Sequence, residues 1–398
     1  MRALLVLALM LAGGAAFADE LDASLGKALF ERRWVQAPAS TDSADGLGPL
    51  FNASACDTCH RKGGSARFSL NDGVLGAGGF IVRLGDAEGH PDPFYGRQIQ
   101  ERAIPGLEPE ARIFPKLEPV AALTRMGMDL DFNGPGLAPA TRTEIRVAPS
   151  LAGRGLIEQV STGAVLALAD PEDRDHDGIS GRARVLAEEN GRPVIGRFGL
   201  KATAISIADQ AADAAAFDLG LSSPLRRLPF GDCMPDQLRC LAMATGRSPD
   251  FDGEEISRAM VTMLANYVRS LKRPSVPDDP KAARLFASIG CAACHRPAMP
   301  GEDGQSLPIF SDLLLHDMGD GLAGTIGDYF ASPREWRTAP LMDLKPLKGQ
   351  RRYLHDGRAA TIGEAVEWHG GEADKARSAF DALSEAERTR LVNYLKSL

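Results

Sequence analysis

Two pentapeptides hold the residues best placed to do chemistry in this chain: Cys56-Asp-Thr-Cys59-His60 and Cys291-Ala-Ala-Cys294-His295. Two thiols separated by two residues, with an imidazole directly after them, are the set that fixes a porphyrin covalently. The sulfurs add across the vinyl groups of a haem, and the adjacent histidine binds the iron from the proximal side. The spacing is chemical, since two intervening residues let both sulfurs straddle one edge of the macrocycle while the next residue swings beneath it. A thioredoxin-type dithiol or half a zinc site would use the cysteines but leave the trailing histidine unexplained twice. The sequence therefore predicts two covalently bound c-type haems, one through Cys56, Cys59 and His60 and one through Cys291, Cys294 and His295.

Haem iron has a second axial face, and its occupant separates electron carriers from catalysts. His90, His176, His316, His355 and His369 are the remaining histidines. His369 ends a short helical stretch in Glu364-Ala-Val-Glu-Trp-His369-Gly-Gly-Glu, and Gly370 and Gly371 after it could let a porphyrin approach closely. Met318 and Met342 compete with it as ligands, core packing being their simpler role. At the first haem, His90, Met126 or Met128 could close the sixth position. His316 and His355 read as hydrogen-bonding groups within a site, for instance to haem propionates. Trp34, Trp336 and Trp368 could relay electrons, or could simply pack against porphyrin.

Two further constellations stand apart from the haem motifs. Asp173-Arg-Asp175-His-Asp177-Gly178 has oxygen ligands at alternate positions and a glycine for a sharp turn, as the front half of a calcium loop does. The twelfth position of such a loop is Arg184, which excludes a full EF-hand and leaves either a calcium site with other ligands or an Asp-rich turn. Cys233 and Cys240 read as a disulfide closing a short loop, with a pair of free thiols as the alternative.

The elements that must position these groups follow an internal echo. Gly26-Lys-Ala-Leu-Phe30 precedes the first haem motif and Ala283-Arg-Leu-Phe286 the second; Asn266-Tyr-Val-Arg-Ser-Leu271 closes the first part and Asn393-Tyr-Leu-Lys-Ser-Leu398 the second. Both closing segments end a helix-period run. Ile256, Met260, Met263, Leu264 and Tyr267 share one face, and Leu391, Tyr394, Leu395 and Leu398 share another, the second run opening with the capping box Ser384-Glu-Ala-Glu387. Three prolines in the seven residues 274–280 stop any helix between them. The reading is mainly α: an N-terminal cytochrome c-like domain over 19–273 enlarged by insertions, a linker at 274–280, and a C-terminal cytochrome c domain over 281–398. Short β is expected within the insertions, with Phe80-Ile-Val-Arg-Leu84 in a small hairpin, and Ala204–Ala216 is helical in pattern.

Residues 1–18 have a basic start, an apolar run too short to span a bilayer, and an Ala16-Phe-Ala18 cleavage site, so they read as a cleavable signal peptide. With haem attachment this points to a bacterial periplasm. A hydrophobic share of 44% and a charged share of 25% describe an ordinary globular chain with no membrane span. The net charge of −8, one unit more negative without Arg2, makes nucleic acid an improbable partner. An acidic surface could attract a basic electron-donor protein.

Trp336-Arg-Thr-Ala-Pro-Leu341, Tyr353-Leu-His-Asp-Gly-Arg-Ala-Ala-Thr361 and Glu364-Ala-Val366 resemble the C-terminal signature of bacterial di-haem cytochrome c peroxidases and their relative MauG. More closely, the chain resembles the di-haem oxidoreductase family of peroxidase type, also called thiol oxidoreductases. Phe51-Asn-Ala-Ser-Ala-Cys56, Asp92-Pro-Phe-Tyr-Gly96, Gly196-Arg-Phe-Gly-Leu-Lys201, Asp312-Leu-Leu-Leu-His-Asp-Met-Gly319 and His369-Gly-Gly-Glu-Ala373 add to that resemblance. In the peroxidases the residue fourteen positions after the histidine of the Tyr-x-His motif binds the second iron as Met, or as Tyr in MauG-like enzymes. Counting from His355 gives His369, so the resemblance implies a bis-histidine haem, His295/His369. Its potential would lie below that of a His/Met haem.

The resemblance also makes the His60 haem the peroxide-binding one, with a nearby carboxylate or amide moving a proton between the peroxide oxygens. Arg146–Gln159 loosely resembles the stretch that supplies such groups, which singles out Glu158 and Gln159 as catalytic candidates, an ordinary helix face being the alternative. The implied function is a periplasmic oxidoreductase that takes electrons from a small redox protein and reduces hydrogen peroxide, or oxidises a substrate through a high-valent haem. The alternative is a non-catalytic di-haem electron-transfer cytochrome.

Overall fold

Helices bracket both Cys-x-x-Cys-His segments, as their sequence period requires. A computed structural model describes residues 21–398 apart from 42, 72–73, 189, 274 and 348–349; the signal-peptide segment 1–18 lies outside them. A helix over 21–31 leads to the first motif. It crosses the closing helix Arg258–Ser270 so closely that a Cβ at Gly26 would run into the Met263 carbonyl. Ser257 caps the closing helix by accepting from the Met260 N–H. Its buried stripe is Val261, Leu264, Ala265 and Val268, with Tyr267 beside them. Ile256, expected on the helix face, lies before the cap yet is also buried. Ile207–Asp218, the Ala-rich helix, packs against it.

The second half repeats the plan. Asp279 caps Pro280–Ser288, whose proline sits in the first turn where its missing N–H costs nothing. Ser384 and Glu387 form the expected capping box of Glu385–Lys396. Phe286, Phe310, Phe380, Leu391, Tyr394, Leu395 and Leu398 share one buried cluster. Residues from both sides of 274–280 share another, in which Phe30, Ile157, Leu264 and Val268 meet Met299, Leu307, Ile309, Leu313 and Met342.

The mainly α expectation is overturned: among the described residues the structure is 30% helical and 20% strand, spread over many short sheets. The largest described sheet has Phe80–Gly85 between Gln98–Ile99 and Arg142–Val147. Strand alternation puts Val82, Leu84, Ile99 and Ile145 into a buried cluster and Arg83, Gln98, Glu144 and Arg146 on the opposite face. Phe80–Leu84 is thus a strand, but its partners come from far along the chain, which a local reading cannot see. A second β element, the ribbon Ala111–Val120 with Leu123–Phe132, carries Pro115 and Pro119. Proline counts against a central strand but is tolerated in a two-stranded ribbon, whose outward N–H groups need no partner. In the second half, Leu315–Asp317 pairs with Glu335–Arg337 and sets His316 opposite Trp336. Among the described residues no helix is long and apolar enough to cross a membrane.

The shared core of the second half gives a direct check. Leu391→Ala is expected to lose about 2–5 kcal/mol, the usual cost of a buried leucine truncation, in urea denaturation followed by circular dichroism. A loss below about 1 kcal/mol would place that helix face in solvent.

Candidate haem sites

At the first site Cys56–Cys59 forms a single helical turn, and the His60 N–H donates to the Cys56 carbonyl at 3.0 Å. Burial, with the Asp218 carboxylate adding to it, pushes the Cys56 and Cys59 thiols up to about 12. The His60 ring directs Nδ1 at the Pro149 carbonyl, 2.9 Å away, and burial brings its pKa down to about 4. A neutral imidazole whose Nδ1–H is spent on a backbone carbonyl presents Nε2 as a donor, which is how protein histidines bind metals.

The second site repeats this arrangement and adds a facing ring. The His295 N–H donates to the Cys291 carbonyl at 3.0 Å, and its Nδ1 meets the Phe310 carbonyl at 3.2 Å. His369 follows the helix Ile362–Glu367, capped by Thr361, and its Nδ1 meets the Ala365 carbonyl at 2.7 Å. Burial lowers both rings, His295 to about 4 with the neighbouring His369 contributing. Their centroids are 6.5 Å apart with planes inclined at 51°. Imidazole nitrogens bind metals at about 2 Å, so two rings on one ion have centroids roughly 6 Å apart. The donor set and the separation both fit a haem iron held by His295 and His369. At Gly371 (φ 54°) a Cβ would run into the Asp317 carbonyl, so that glycine serves a close approach of backbone to backbone.

His316 ties the two flanks of this site together. It is 3% exposed, with Nε2 2.9 Å from Asp312 Oδ2 and Nδ1 2.5 Å from Glu372 Oε2. Burial opposes its charge, but the hydrogen bonds to Asp312, the Cys294 sulfur and Glu372 outweigh it and push the pKa up to about 12. Asp312 donates its N–H to the Cys294 carbonyl at 2.9 Å, and Glu372 lies three residues after His369. Both ring nitrogens are taken by carboxylates, so none is left for a haem propionate. His355 differs: it stacks on Trp336 at 3.9 Å and 16°, and burial lowers it to about 4. The buried Lys201 Nζ lies 4.1 Å from the Trp336 ring centre and donates to the Ser332 and Glu335 carbonyls. Burial draws Lys201 down to about 7.

The remaining candidates are dispersed. Glu158 pairs with Arg269 at 2.6 Å and accepts the Ile207 N–H at 2.8 Å, while the Gln159 side chain donates to the Gly155 carbonyl. Glu158 therefore serves a junction between helices, and Gln159 bonds within its own helix. His90 is exposed and bonded to Asp86, and Met126 and Met128 pack in the cluster behind the three-stranded sheet. Met342 lies in the shared core, and Met318 packs against the cluster of Leu322, Ala359 and Trp368. Asp173, Asp175 and Asp177 bring carboxylate oxygens within 4.8 Å of one another at the surface, and those oxygens also accept turn-closing backbone N–H bonds. Arg184 instead pairs with Asp328, and Cys233 and Cys240 form the expected disulfide. Trp34 packs in an apolar cluster.

A buried polar group near the first site escaped the sequence reading. Asp218, pushed up to about 6 by burial, accepts from Gln98 Nε2, which also reaches Asn52 and the Phe217 carbonyl. Arg83 donates to Gln98 Oε1 at 3.3 Å. These residues come from three distant segments and share no local pattern that could have announced them.

A family model described as "Di-haem oxidoreductase, putative peroxidase" matches residues 12–89 and 139–398. The gap holds the ribbon Ala111–Phe132. Among solved structures, hydrazine synthase of Kuenenia stuttgartiensis, pressurised with 20 bar xenon, is 22% identical with a TM-score of 0.25. The match covers 42% of this chain and 63% of that one. No curated protein matches the chain.

The His316 triad predicts a pH signature. A histidine with a raised pKa contributes stability that is complete below its unfolded value near 6.5 and declines as pH rises toward its folded value. His316→Gln leaves two carboxylates without their cation and is expected to cost about 3–5 kcal/mol at pH 6. Urea denaturation at pH 6 and pH 9 should show the larger loss at pH 6; equal losses would mean that His316 is neutral.

Proposed function

The chain belongs to the di-haem oxidoreductase family, and on that premise we propose that it is a periplasmic peroxidase-type enzyme with two covalently bound c haems. Electrons from a small redox protein enter at the His295/His369 site, pass to the His60 site, and there reduce hydrogen peroxide. Two electrons and two protons convert each peroxide to two waters. Bound haem supplies the one-electron redox steps.

The observation that supports this reading is the asymmetry of the two sites. His295 faces a second imidazole at 6.5 Å, and the two rings would together hold a haem iron that supplies electron transfer. The side chains considered for the other face of the His60 site are engaged elsewhere, His90 at the surface and Met126 and Met128 in a packed cluster. That favours a position at the first site where a small oxidant can bind.

The residues of the chain then divide the work. Pro149, Phe310 and Ala365 fix the ring orientations through Nδ1. Asp218, whose charge reaches both thiols of the first site, and its partners Gln98 and Arg83 join Glu158 and Gln159 as targets for substitution at the peroxide step. Calcium at Asp173, Asp175 and Asp177 belongs to the same proposal, and an unchanged melting temperature on adding calcium to chelator-treated protein would remove it.

Two measurements test the function. Optical and EPR spectra of the oxidised and half-reduced protein should contain one high-spin haem whose signal changes on adding peroxide. Two low-spin haems inert to peroxide in both states would leave an electron-transfer cytochrome instead. His369→Met should raise the midpoint potential of one haem only, because a thioether ligand favours ferrous iron. An unchanged pair of potentials would remove His369 from the iron.

A further inference from the structure

Two arginines, Arg337 buried and Arg154 half-buried, form no ion pair among the described residues. Arg337, on the strand Glu335–Arg337, is 8% exposed. Its Nε donates to the Gly199 carbonyl at 3.0 Å and its Nη1 to the Thr338 carbonyl at 2.8 Å. Arg154 opens the helix Arg154–Gln159 and donates through Nε to the Ser150 carbonyl at 2.9 Å. Among the described residues neither guanidinium forms an ion pair with a carboxylate, and Arg337 Nη2 and both terminal nitrogens of Arg154 bond to no protein group. Asp312, the acid whose charge reaches Arg337, is already bonded to His316 and to the Leu314 N–H. The Thr338 hydroxyl beside Arg337 is buried without a partner.

The charge of Arg154 also reaches Arg337. Burial brings Arg337 down to about 9 and the charge of Arg154 adds to the effect; Arg154 itself is brought down to about 10 by burial. Two like charges in a poorly solvated interior are costly unless an anion lies between or beside them. What that anion is follows from where the arginines are anchored. Ser150, which holds Arg154, directly follows Pro149, whose carbonyl holds the His60 ring. The Thr338 carbonyl that receives Arg337 also receives the Ser311 hydroxyl, and Ser311 directly follows Phe310, whose carbonyl holds the His295 ring. Each arginine is thus fixed to the loop that orients the proximal histidine of one haem site.

We propose that Arg154 and Arg337 form one cationic seat that binds a haem propionate carboxylate and joins the two haem sites. The planar fork of arginine suits a carboxylate in two-point contact, and a propionate is the anion that the proposed cofactor itself brings to these loops. The proposal rests on the two-haem reading. Its consequence is electrostatic: a neutralised propionate favours ferrous iron, and removal of the cation favours ferric iron.

The test uses the full haem-loaded chain. Pyridine haemochrome spectra first count c haems per chain, and both midpoint potentials are then measured between pH 5 and 9 for wild type, Arg154→Gln, Arg337→Gln and Arg337→Lys. In at least one glutamine variant the ferric/ferrous equilibrium of a haem should shift about tenfold toward ferric, a fall of about 59 mV for one electron. That potential should also become pH-dependent as the released propionate titrates. Arg337→Lys, which keeps the charge, should recover most of the shift. Unchanged potentials in both glutamine variants with two haems present would overturn the seat. Should Arg337→Gln not accumulate, Arg154→Gln alone decides, since its side chain is the less enclosed of the two. Fewer than two c haems in wild type would instead overturn the two-haem reading, and the seat with it.

Discussion

A histidine that is to give one ring nitrogen to a metal must commit the other, and the commitment fixes both its tautomer and its orientation. Here His60, His295 and His369 each direct Nδ1 at a backbone carbonyl, of Pro149, Phe310 and Ala365 respectively. Backbone carbonyls are rigid acceptors only when the loops bearing them are held. Much of the surrounding structure can be understood as holding those loops. Pro149 follows the strand Arg142–Val147, pinned in the three-stranded sheet, and the Val147 N–H donates to the His355 carbonyl. Phe310 is buried among the helices of the second half. Ala365 lies within a capped helix, so its carbonyl is set by the helix itself.

The interior between these loops is unusually charged for a protein core, and each charge is accounted for differently. His316 is matched by two carboxylates and can stay protonated. Glu144 accepts the N–H groups of Thr325 and Ile326, and although burial works against it, Arg146, His355 and Lys201 hold it below the usual carboxylate range. Lys201 finds two carbonyls and the face of Trp336 but no carboxylate, and its pKa falls accordingly. Arg154 and Arg337 find only carbonyls. Buried ions are costly, and cores that keep them generally use them for position or for a charged ligand rather than for stability.

The β content is a separate layer on this plan. The three-stranded sheet offers an apolar face to its own cluster and a polar face bearing Arg83, Gln98, Glu144 and Arg146 to the interior. The ribbon Ala111–Phe132 lies in the stretch that the family model leaves unmatched, while the strands Phe80–Gly85 and Arg142–Val147 fall within the matched residues. The paired strands Phe80–Gly85 and Arg142–Val147 thus belong to the common plan, and the strand Gln98–Ile99 and the ribbon lie in the unmatched stretch.

Local chemistry was legible in the sequence. The two Cys-x-x-Cys-His segments, the capping box at Ser384 and Glu387, the closing helices and the Cys233–Cys240 pair all depend on residues within a dozen positions of one another, where spacing alone dictates geometry. Pairing across the chain was not legible. The partners of Phe80–Gly85 lie at 98–99 and 142–147, so a mainly α reading missed the sheet that its own alternation hinted at. Glu158 had the right chemical type for a proton-moving group, yet only the packing of three helices shows it bonded to Arg269 and Ile207. Arg154 and Arg337 are 183 residues apart in a chain whose local pattern says nothing of either. Tertiary structure alone decided which charges would be brought together and left without a partner, because burial and proximity are properties of the folded chain.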